Sequence, residues 1–129
     1  MDISDLYTAD RHNAGADMAV KDADGVVTDM VITLAGVDSR AWRMAEAMKR
    51  GRMLEAMASG DADEAAFSVL MQTVADATIG WRGIESGGEP LAFTQEAAIS
   101  LYTNAPYILD QVYAFIGDRA NFTGPQPTK

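Results

Sequence analysis

A single histidine, His12, and no cysteine leave this chain few groups that could do chemistry. A nucleophile must have a base beside it, and His12 lies in a polar N-terminal stretch without a matched partner, so no catalytic role is expected for it. The acid-rich loop Asp22-Ala23-Asp24-Gly25 invites comparison with a calcium loop. It lacks the third ligand pair and the closing Glu of an EF-hand, and Asp24-Gly25 is better explained as hairpin chemistry. Gly80, Gly83, Gly87 and Gly88 resemble a phosphate cradle only superficially. No Lys follows them in Walker spacing, and Glu85 and Glu89 would repel a phosphate. The sequence therefore predicts no catalytic residue, no metal ligand and no cofactor.

Methionine and arginine are the more informative residues. Met44, Met48, Met53 and Met57 follow one another at spacings of four, five and four. Methionine is unbranched and polarizable, and packs against varied apolar surfaces. Ordinary core accounts for such a series; so does an adaptable groove for an apolar helix of another protein. Five of the ten basic residues, Arg40, Arg43, Lys49, Arg50 and Arg52, fall within the same segment, whereas residues 61–118 carry nine acids and only Arg82 as a base. A solvated helix face would explain the cluster, as would contact with the acidic half of another copy or of a partner. A net charge of −9 and the lack of any nucleic-acid motif argue against DNA or RNA.

The elements that must position these residues follow from length and pattern. At 129 residues the chain is expected to form one domain with a real core. The missing cysteines fit a reducing compartment, and with no basic stretch followed by an apolar run at Met1 to Thr8 and no membrane-length apolar window, neither a signal peptide nor a membrane span is expected. Residues 1–15 read as a flexible arm, 16–120 as one globular α+β domain, and 121–129 as a disordered tail. Within the domain, Met18 and Val20 alternate with polar neighbours up to the Asp24-Gly25 turn. Met30, Ile32 and Leu34 then form the apolar face of a second strand, so a hairpin is predicted.

Asp38-Ser39 caps a helix running to about Ala58, with Gly51 as a kink or end. On it Ala41, Met44, Ala45 and Met48 share one side, while Trp42, Met53 and Met57 lie on another. A further helix, about Asp63 to Ile79, carries Phe67, Leu70, Met71, Val74, Ala77 and Thr78 as its apolar stripe. Gly80 is expected to close that helix. Thr94 caps a short helix to Leu101 or Tyr102, and Pro106, behind Asn104, opens a last one with Ile108, Leu109, Val112, Phe115 and Ile116 inward. The fold class is thus α+β and mainly α-helical, an N-terminal antiparallel β-hairpin packed on about four helices.

With these residues in place, the stretch from Met18 to Phe115 resembles the tail assembly chaperones of long-tailed, siphovirus-type bacteriophages. The resemblance is carried by the strand ending before Gly36-Val37-Asp38-Ser39, the basic helix after it, and the Trp81-Arg82-Gly83-Ile84 turn. Pro90-Leu91-Ala92-Phe93-Thr94 before a short helix and Pro106 before Ile108 to Val112 complete it. It implies a non-enzymatic late protein of the host cytoplasm that binds the tape measure protein, keeps it soluble while the tail tube polymerises, and is absent from the mature virion. It also implies a frameshift-extended form that recruits tail tube protein, and self-association, without nucleic acid or membrane as partners. On that basis Met44, Met48, Met53 and Met57 are expected to contact the client. Arg40, Arg43, Lys49, Arg50 and Arg52 are expected to set register or assembly, and Gly80, Trp81, Phe93 and Pro106 to serve structure. The alternatives are a virion structural protein, such as a tail-completion or connector subunit, and a small enzyme or ligand-binding domain with a deep polar pocket.

Overall fold

The computed structural model describes residues 1–123. The first hairpin joins β1 (Ala16–Lys21) to β2 (Val27–Leu34). Asp22 Oδ1 accepts from the N–H groups of Asp24 (2.9 Å) and Val26 (3.0 Å), and Gly25 takes a φ of 84°. The carboxylate that resembled a calcium ligand is thus spent on the turn. Opposite residues share a face of an antiparallel pair, so Met18 and Ile32 lie together on the core side, with Asp17 and Thr33 on the other.

The sheet does not stop at the hairpin. A third strand, β3 (Thr78–Arg82), pairs antiparallel with the free edge of β2, giving the order β1-β2-β3. This corrects the expected role of Gly80. The preceding helix ends at Asp76 with Ala77 as its C-cap, and Gly80 sits in the strand opposite Thr33. The β-branched pair Thr78-Ile79 favours extended backbone, and the unpaired edge of β2 supplies its hydrogen bonds. Ile79 is the extra residue at a register shift between Thr33 and Leu34, and its side chain turns outward over Gly15, whose φ is 87°.

Helices cover the sheet's apolar face. They are α2 (Arg40–Met57), α3 (Ala62–Asp76), α4 (Gln95–Asn104) and α5 (Pro106–Gly117). The core joins Met18, Val20, Ile32 and Leu34 of the sheet to Val74, Tyr102, Ile108, Val112 and Ile116 of the helices, all buried. The fold is therefore α+β and mainly α-helical, with a three-stranded sheet where the sequence predicts two strands. Within the core, Thr78 donates its hydroxyl proton to the Val74 carbonyl (2.9 Å), so the 2.8 Å contact with Tyr102 has the phenol as donor. Burial pushes the Tyr102 phenol up to about 12.

Between β3 and α4 the chain makes a small excursion, β4 (Glu85–Ser86) and β5 (Glu89–Pro90), turned by Gly87 and Gly88 at φ 59° and 83°. Both positive angles belong to a tight hairpin turn, which is why glycines stand there. Trp81 ties the excursion down. Its indole Nε1 donates to the Leu91 carbonyl (2.8 Å), and its ring meets Phe93 edge-on at 5.1 Å. Thr94 Oγ1 accepts from Ala97 N–H (3.0 Å) as the N-cap of α4, and Pro106 occupies the first turn of α5 behind Ala105. Asn104, expected as the cap, instead turns its amide back to Ser100 O (2.9 Å).

Both ends of the described chain differ from a loose arm and tail. Residues 9–14 form α1 (Ala9–Ala14), and His12 is 1% exposed. Its Nδ1 accepts from Asp38 N–H (2.9 Å), and its ring stacks on Phe122 at 4.6 Å. Asp38 also takes both Arg119 nitrogens at 2.9 Å and the Thr8 hydroxyl at 2.6 Å. One aspartate at the start of α2 thus joins the beginning of the chain to residues 119–122. The remainder of the expected tail, 124–129, lies outside the described residues.

Candidate functional site

The methionine and arginine series lies on α2, which forms a helical hairpin with α3. Ser39 Oγ accepts from Trp42 N–H (3.1 Å) to start α2, and Asp61 Oδ1 accepts from Glu64 N–H (2.8 Å) to start α3. Gly51 does not end α2, which continues as one helix to Met57 with α3 alongside. Trp42 and Ala45 are the buried residues of α2, and both belong to its first two turns. Beyond Ala45 the helix packs mainly against α3, whose Ala65 and Val69 are buried.

Phe67 departs from the expected core. It shares the line of Leu70 and Val74, which the sequence reads as core, yet it is 63% exposed while Val74 is fully buried. The apolar pattern of α3 thus runs on into its first turns, which are mostly exposed.

The four methionines divide into pairs. Spacings of four keep residues on one side of a helix, but the step of five from Met48 to Met53 turns about 140°. Met44, Met48 and Met57 are about half exposed, at 48%, 46% and 48%. Met53 is partly buried and floors a cleft of about 340 Å³ with Ala66, Val69 and Leu70, rimmed by Lys49 and Arg50.

The five basic residues divide as well. Arg52 bonds Asp76 at 2.6 Å, and Asp76 takes Gln95 Nε2 at 2.8 Å, so this cation links α2, α3 and α4 and is occupied by the fold. Lys49 pairs with Glu46 at 2.9 Å within α2. Arg40, Arg43 and Arg50 carry no ion pair among the described residues. All three are exposed.

The outward side of α2 contains residues that attention to methionine overlooks. Arg40, Met44, Ala47, Gly51, Leu54 and Ala58 succeed one another at steps of four, three, four, three and four, and each is exposed. Leu54 is 64% exposed. Such alternation is the heptad pattern, legible by counting along the sequence.

The only histidine offers no competing chemistry. Burial holds its pKa below the ordinary value, opposed by the Asp38 charge and a backbone hydrogen bond at Gly36 and assisted by Arg119. With Nδ1 accepting a backbone proton, the neutral ring keeps its own proton on Nε2, and Phe122 covers its face. Among the described residues no group of three or more His, Asp or Glu is placed to hold a metal ion, and no helix is long and apolar enough to cross a membrane. No protein-family model, no curated protein and no solved structure matches the chain.

Proposed function

We propose that this protein is a phage tail assembly chaperone that binds the tape measure protein, without enzymatic chemistry of its own. In this reading it works in the host cytoplasm, keeps its client soluble while the tail tube polymerises around it, and leaves before the virion is complete. Recruitment of tail tube protein by a frameshift-extended form, and self-association, belong to the same reading.

The observation that carries the proposal is the exposed apolar side of α2, with Met44, Met48 and Leu54, on a helix that packs mainly against α3 alone. A chaperone for a long helical client needs adaptable apolar surface held on a soluble, acidic carrier. Exposed methionines beside unpaired arginines, in a chain of net charge −9, meet that need. The order of motifs from Met18 to Phe115 supports the same assignment by resemblance.

The test is co-expression with the tape measure protein of the same phage. Wild-type chain should co-purify with it, while Met44→Ser with Met48→Ser should retain the fold and lose most of the client. Unchanged co-purification by the folded double variant would remove the methionines from the site. Recovery of the chain from purified particles would instead favour a virion structural protein, such as a tail-completion or connector subunit.

A further inference from the structure

We infer that the outward face of α2 is a docking seam for one helix of the client, and that this helix carries an apolar heptad stripe flanked by acidic residues. The inference rests on the proposed function for the identity of the client. It adds the face, the geometry and the charge of what binds.

The seam is Met44, Ala47, Gly51, Leu54 and Ala58, opened by Arg40. In heptad terms these are the positions that meet a partner helix, yet all five are exposed, and α3 packs on the side of α2 that carries Ala45 and Met53. Gly51 is informative here. A glycine inside a helix costs stability, and a Cβ built on it meets nothing within 4 Å, so the chain's own packing gives no reason for it. On the outward face it permits a second helix to approach closely.

Charge selects the occupant. Arg43 and Arg50, seven residues apart and without an ion pair among the described residues, line one flank of the seam, and Met48 and Glu55 line the other. In an antiparallel two-fold pairing of two copies each flank would face itself, setting Arg43 and Arg50 against the same arginines. A parallel pairing would bring two bodies of net charge −9 side by side. A foreign helix with Asp or Glu at the flanking positions satisfies both arginines and has neither cost. At its N-terminal end the seam opens into a cleft of about 460 Å³ bordered by Asn13, Arg43 and Met44, room for a side chain of that helix.

The experiment uses the full chain and two synthetic helical peptides of about four heptads, both with Leu in the stripe, one flanked by Glu and the other by Lys. Fluorescence anisotropy should show the Glu peptide binding at least about tenfold more tightly than the Lys peptide. Ala47→Glu and Leu54→Glu, both at exposed positions, should each weaken it by about tenfold or more with the helical circular dichroism unchanged. Arg43→Glu with Arg50→Glu should reverse the preference between the peptides.

Equal binding of the two peptides, or binding indifferent to Ala47→Glu and Leu54→Glu, overturns the inference. So does a concentration-dependent dimer that the same substitutions abolish, since the face would then belong to a second copy. Wild-type chain that binds the Glu peptide but never the tape measure protein would keep the seam and refute the functional reading. Ala47→Glu and Leu54→Glu variants that still co-purify with the tape measure protein would keep the function and refute the seam.

Discussion

Asp38 shows how much one side chain at a helix start can organise. It accepts from Thr8 and Arg119, and its backbone N–H is received by His12, so its surroundings tie residues 8–12 to 119–122. The titration of these groups has a definite sign. Unfolded, the His12 imidazole takes a proton near pH 6.5; folded, burial delays that to lower pH. Below that point the unfolded state binds more protons, so the contribution is complete above about pH 6.5 and is lost as the pH falls through it. Asp38 is held well below the usual carboxylate range by the Arg119 and Thr8 hydrogen bonds, and its contribution goes only below about pH 4. Urea unfolding should therefore show stability declining between about pH 7 and pH 5, before any carboxylate is involved. His12→Gln, which does not titrate, should flatten that slope even if it lowers stability throughout; an unaltered slope would assign it to other groups.

At the scale of elements, α2 is where stability and binding are set against each other. Gly51→Ala should stabilise the protein by about 0.5–1 kcal/mol, because the added methyl meets open space and the unfolded chain loses freedom. The same methyl would stand in the seam and weaken the client. Thermal melts check the first effect, and a lowered midpoint would contradict it. The helices themselves were largely legible, since Ser39 and Thr94 are caps that bond as such residues ordinarily do. The hairpin was legible from Asp22-Ala23-Asp24-Gly25 for the same local reason. β3 was not. Thr78 to Arg82 follow a strong helical stripe with a glycine in their midst, and only the distant edge of β2 shows that they are a strand. α1 escaped notice because His12 is buried by Phe122 and Asp38, partners far away in sequence.

For the whole molecule, the candidate site was half legible. The sequence locates the basic, methionine-rich helix, but which of its sides faces outward depends on where α3 packs. That packing assigns Arg52 to Asp76 and Met53 to a cleft, and leaves Leu54 and Ala47 in solvent. The result is an acidic body with a half-bare hairpin, on which Arg43 and Arg50, without an ion pair among the described residues, share one flank of α2. Such a separation suits a carrier that must stay dispersed while gripping an apolar helix. The most direct test places a photo-crosslinking residue at Leu54, and for comparison at Glu96 on the exposed side of α4, in chain co-expressed with the tape measure protein. A covalent adduct with the tape measure protein from position 54 and none from position 96 is the predicted result. Co-purification with adducts from position 96 and none from position 54 would contradict the account.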